Sequence, residues 1–158
     1  MAAARRIGPA RSLRPAVMYT LIGLLYVTGL RIGEARKLTL ADVDIRRRLL
    51  TIRRTKFRKT RYVPMSENTT QALAAFIRKR LAAGFPTDAN AAIFVSPVGR
   101  AYGHPRLCEM FLGIVRKIGL RGPVGQGGPR IHDFRYVLSL IMFLVFLPAF
   151  TSVFHLLP

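Results

Sequence analysis

Three separated segments of this chain hold the residues best placed to do chemistry: arginines, lysines, a histidine and a carboxylate at close spacing. In Thr28-Gly29-Leu30-Arg31-Ile32-Gly33-Glu34-Ala35, a carboxylate follows an arginine by three residues. That is one helical turn, the distance at which Glu34 would orient the Arg31 guanidinium rather than react itself. Between Arg46 and Arg61 stand nine basic residues: Arg46, Arg47, Arg48, Arg53, Arg54, Lys56, Arg58, Lys59 and Arg61. Side chains of this kind make phosphate contacts that position a nucleic acid without reading its sequence. Last comes His132-Asp133-Phe134-Arg135, whose His-x-x-Arg spacing puts both functional side chains on one helical face. Cys108, the single cysteine, excludes an internal disulfide and fits a reducing compartment; with only Glu109 beside it, it is expected to be chemically idle. No metal or other cofactor is expected.

The charge balance points the same way. Lys and Arg number 26 against 7 Asp and Glu, a formal net charge of +19, which favours a polyanionic partner, double-stranded DNA foremost. Codon bias could explain the excess of Arg over Lys, but not the shortage of acids. Every basic residue lies at or before Arg135, and the chain from Tyr136 to Pro158 carries no charged side chain. The basic start lacks the apolar stretch of a secretory signal, and a cytoplasmic protein is expected.

These residues need elements to hold them. With 158 residues the chain suits one domain with a real core. Residues 1–14 read as a basic leader. Pro15 suits the first turn of a helix whose apolar run, Ala16 to Val27, is too short to span a membrane. Thr28-Gly29 interrupts it, and a second helix is expected from about Leu30 through Ile32, Ala35 and Leu38. Thr39 or Asp42 can cap a short following segment. Leu49–Arg53 alternates as a strand, with Leu50 and Ile52 on one side. Arg61–Met65 is a second strand, and the basic stretch between them is the loop of a hairpin or a three-stranded sheet. Glu67–Leu81 is a helix with Leu73, Ile77 and Leu81 on its apolar face, Phe76 beside them, and Arg78, Lys79 and Arg80 opposite. Ile93-Phe94-Val95 is an extended piece. A helix over 104–118 carries Leu107, Phe111, Ile114, Val115 and Ile118. A Gly- and Pro-rich loop, 119–129, leads into a further helix beginning at Ile131–Tyr136.

Taken together and in order, the three segments resemble the catalytic domain of the tyrosine recombinases, the phage-integrase type. The segment around Arg31, followed by Leu38-Thr39-Leu40-Ala41-Asp42-Val43-Asp44, is similar to the family's first arginine motif. Thr55-Lys56-Phe57-Arg58-Lys59-Thr60-Arg61-Tyr62-Val63-Pro64 is similar to the hairpin bearing its lysine, and His132–Arg135 to its histidine–arginine box. The resemblance covers about residues 15–136 and implies an α+β fold, mainly helical with a small antiparallel sheet, incomplete at the C-terminus. It also implies DNA recombination and integration through a 3′-phosphotyrosyl link. Arg31 and Arg135 would then clamp the non-bridging phosphate oxygens with paired charged donors. Lys56, in preference to Lys59, would protonate the 5′-oxygen leaving group. His132 would assist proton transfer or hold the phosphate, and Glu34 would orient Arg31. Other recombinase subunits are implied as further partners.

The resemblance breaks after Arg135. Family members continue with an amphipathic helix, a Leu-Gly-His segment and the nucleophilic tyrosine, and none of these follows here: no tyrosine occurs after Tyr136. Without that nucleophile, covalent catalysis cannot start, so a DNA-binding but inactive domain is expected. Tyr136 is assigned a structural role. The apolar segment 137–158 reads first as the product of a damaged reading frame. The alternatives are continuation of the fold and membrane attachment through the tail of a non-enzymatic basic protein.

Overall fold

The computed structural model describes residues 13–53 and 59–133. α1 spans Arg14–Thr28 with Pro15 in its first turn, and buries Val17, Met18, Leu21, Leu24 and Leu25. It ends because Gly29 takes a left-handed conformation (φ 62°) and returns its amide to the Leu25 carbonyl at 3.0 Å. A side chain there would cost about 1 kcal/mol or more. The expected second helix is shorter than its apolar spacing suggested. α2 covers only Ile32–Ala35, and Arg31 precedes it in extended conformation. Leu38 is nonetheless buried, past the helix end.

A single 3₁₀ turn at Leu40–Asp42 follows. Asp42 closes it by accepting from the Thr39 amide at 2.9 Å and the Thr39 hydroxyl at 2.8 Å. The chain then forms an antiparallel meander, β1 (Val43–Asp44), β2 (Leu49–Ile52) and β3 (Arg61–Pro64), in the order β1-β2-β3. The pairing sets Leu50 opposite Val63 and Ile52 opposite Arg61. Leu50 and Ile52 face the core, as their alternation required.

α3 (Glu67–Ala82) starts at Ser66, whose hydroxyl accepts from the Thr69 amide at 3.3 Å. Its buried stripe differs from the expected one. Leu73 and Phe76 are buried, but the next position inward is Arg80, fully enclosed, while Leu81 is 37% exposed. On a helix, residues 73, 76, 77 and 80 follow the i, i+3, i+4, i+7 rule, and 81 falls off the edge of that stripe. Arg80 is tolerated inside because it satisfies loop carbonyls: its Nε donates to Ala92 O at 3.1 Å and its Nη1 to Pro86 O at 2.6 Å. Burial lowers its pKa, opposed by the charge of Asp88.

The segment so anchored lies against the earlier chain, with Leu40 N bonded to Ala91 O and Ile93 N to Leu38 O. Phe94 stacks on Phe76, ring centroids 5.6 Å apart. α4 (His104–Lys117) contributes Leu107, Phe111 and Val115 to the core. Ile114 and Ile118 of the same segment are 37% and 61% exposed. Residues 131–133 form a turn, with Ile131 seated in the core. The helix expected to begin there lies mostly outside the described residues, as does the apolar segment 137–158. Among the described residues no helix is long and apolar enough to cross a membrane.

Candidate phosphate-binding site

The first arginine segment is built as a cap, and its geometry follows from the end of α1. The turn at Gly29 delivers Arg31 to the N-terminal end of α2, where its backbone amide has no helical partner. Glu34 supplies one: its Oε2 accepts from Arg31 N at 2.9 Å, while its Oε1 lies 3.3 Å from Arg31 Nη1. The same carboxylate also reaches across to β3, whose Arg61 Nη2 donates to Oε2 at 2.9 Å. One carboxylate, its side chain 10% exposed, therefore organises two guanidinium groups that are each about half exposed, 48% for Arg31 and 46% for Arg61.

The electrostatics of this fork leave it anion-seeking. Burial by itself would raise the Glu34 pKa, but the Arg31 amide and the charges of Arg61 and Arg31 outweigh it and hold the carboxyl below its usual range. Glu34 is thus ionised at neutral pH and cancels one of two positive charges. Each guanidinium has five N–H donors and spends one on Glu34, so both keep donors for a phosphate. Half exposed and both held by the same partly buried acceptor, the two guanidiniums are fixed in direction with donors left over.

The structure separates what the sequence ran together. Residues 46–48 form the β1–β2 turn, whereas Arg53, Lys59 and Arg61 lie at the opposite end of the sheet. Four residues of β2 put these ends about 13 Å apart. At the turn, Arg47 lies 3.8 Å from Asp44 and Arg48 lies 3.2 Å from Glu67, all exposed. Arg46 is exposed and makes no ion pair among the described residues. At the other end, Arg53 binds the buried Asp42 through Nε. Burial pushes the Asp42 pKa up, and hydrogen bonds from Arg53 and Thr39 bring it below its ordinary value. Arg53 is accordingly part of a structural pair as well as of the basic surface.

His132 is exposed, and its ring stacks on His104 with centroids 5.5 Å apart. Among the described residues no hydrogen bond or ion pair joins it to Arg31. Arg54, Lys56, Arg58 and Arg135 lie outside the described residues, so the expected lysine and the second arginine of the clamp have no described geometry. Two partners escaped the sequence reading. Arg61 was grouped with its basic neighbours because nothing in its spacing marks Glu34, 27 positions away. His104 carries no motif at all. Among the described residues no three metal-ligating side chains converge.

A small antiparallel meander with four helices, and a partly buried carboxylate holding two arginines at the sheet's edge, defines a basic α+β domain suited to a phosphodiester backbone. The chain belongs to the phage integrase family, whose profile matches residues 2–144. That match runs past Arg135 into the uncharged segment. It corresponds to the catalytic domain of the tyrosine recombinases. One relative is a putative integrase/recombinase, y4rB, of Sinorhizobium fredii, 43% identical over 127 residues that make up 80% of this chain and 40% of the relative. Among solved structures, the XerA recombinase superposes with a TM-score of 0.65 at 26% identity, covering 80% of this chain and 44% of the other. The integrase of transposon Tn1549, solved with transposon right end DNA, gives 0.61 at 25% identity, with 77% and 44% covered. The chain spans less than half the length of these relatives.

Proposed function

We propose that these residues bind double-stranded DNA through its phosphates, as the phosphate-clamping part of a site for DNA recombination and integration. The observation that carries this reading is the Arg31–Glu34–Arg61 fork, a net-positive pair of guanidiniums held ready by a shared, partly buried carboxylate. Family membership supports it, as does the Tn1549 integrase, a relative in fold captured on DNA. In this reading Arg31 and Arg135 grip the non-bridging oxygens, Lys56 serves as the general acid, and His132 holds the phosphate or shuttles a proton. Other recombinase subunits are the protein partners that fit, and the cytoplasm is the compartment.

The 158 residues contain no counterpart of the attacking tyrosine in the expected position, so by themselves they bind without cutting. The test is a salt titration of the full chain on a random-sequence duplex, beside the Arg31→Ala variant. Affinity should fall linearly with salt on logarithmic axes, with little sequence preference, and Arg31→Ala should weaken it markedly. Unchanged affinity in that variant, or a covalent protein–DNA adduct formed by the chain alone, would overturn the proposal.

A further inference from the structure

The phosphate reading leaves one contact unused: the stack of His104 on His132. His132 sits in a turn whose backbone is well held. Ile131, immediately before it, is buried, and Asp133 closes the turn by donating its amide to Arg130 O at 3.0 Å and accepting from Arg130 N at 2.7 Å. The exposed imidazole itself has no hydrogen bond among the described residues. An exposed ring on a fixed backbone would sample several rotamers, and ordering it on a ligand would then cost binding energy.

His104 removes that freedom. It is the first residue of α4, whose place is set by the core residues Leu107, Phe111 and Val115. Its ring lies nearly parallel to that of His132, at 23° and with centroids 5.5 Å apart, an offset stack. Behind it, one helical turn along, stands Cys108, whose Sγ is 3.8 Å from both ring nitrogens. Equal distances to the two nitrogens mark a packing contact rather than a directed bond. Burial raises the pKa of the thiol, so the backing stays neutral. The order Cys108, His104, His132 therefore runs from a half-buried helix flank to an exposed imidazole.

We propose that His104 is a positioning residue, which acts through its stack on His132 to hold that imidazole toward the DNA phosphate. The inference rests on the assignment of His132 to phosphate holding. His104 itself touches no phosphate, and what matters is its flat ring, not its proton.

The chain has three histidines, so their imidazole resonances can be assigned by substitution and followed by NMR as a random-sequence duplex is added. In the parent chain the His132 signals should move on DNA addition. In His104→Ala they should lose their ring-current shift before DNA is added, and DNA affinity should fall by about two- to tenfold, the range expected for one aromatic pair. His104→Phe, which keeps a flat ring without a proton, should restore both. Melting curves of all three chains separate this from misfolding, and His104→Phe supplies the answer if His104→Ala does not fold. A parent chain whose His132 ignores DNA overturns the phosphate role of His132 itself. A His132 that responds to DNA in the parent and equally in His104→Ala overturns the positioning role alone, as does a His104→Phe chain that folds but behaves like the alanine variant.

Discussion

The two ends of the small sheet carry similar numbers of arginines and use them differently. At the Arg31–Arg61 end, two guanidiniums from distant elements share one partly buried carboxylate, which fixes their direction and leaves donors to spare. At the β1–β2 turn, Arg47 and Arg48 meet Asp44 and Glu67 in the open, where ion pairs are worth little and salt screens them. The difference teaches that a charge count describes attraction, whereas a site requires a charge whose position has been settled before the ligand arrives.

That contrast can be broken by substitution. Arg31→Ala should cost the most in DNA affinity, about 1.5–3 kcal/mol, the range of hydrogen bonds to charged groups. Equilibrium binding at moderate salt measures it, and a loss no larger than that of Arg47→Ala would erase the distinction between the two ends. Glu34→Gln should come next. It keeps an acceptor for the Arg31 amide but removes the charge between two guanidiniums, and should destabilise the fold by about 1–2 kcal/mol, read as a lower melting temperature. The same carboxylate predicts a pH effect. Its folded pKa lies below its unfolded value, so its contribution is present above the ordinary glutamate range and disappears as pH falls through the depressed folded value. The melting difference between the parent and Glu34→Gln should therefore shrink in acid, and a difference that persists would exclude the ion pairs as its source.

A smaller effect is expected from Gly29→Ala, which places a Cβ in the left-handed turn leading to Arg31. It should cost about 1 kcal/mol of stability, visible in urea denaturation. Smallest of all, Arg46→Ala and Arg47→Ala should each lower affinity only slightly and reduce the salt slope by about one. A larger, sequence-dependent loss at either would give the turn a specific contact that its geometry does not suggest.

Much of the framework was legible from local pattern. Pro15 and Gly29 bound α1, and the alternation of Leu50 and Ile52 gave β2 its inner face. The errors came where periodicity had to choose between neighbours. Leu81 looked like core and Arg80 like surface, yet the stripe turns through residue 80, and the carbonyls of Pro86 and Ala92 make an arginine acceptable there. Arg31 looked helical, and the turn at Gly29 left it as a cap.

By itself the sequence determined the basic character, the order of the three family-like segments and the pairing of Arg31 with Glu34, because each depends on composition or on residues close together in the chain. Only the tertiary structure decided that Arg61 joins that pair, that Arg46–Arg48 stands at the far end of the sheet, and that His104 lies against His132. The two contacts join positions 27 and 28 residues apart. Their partners are selected by sheet register and helix packing, which no local spacing encodes.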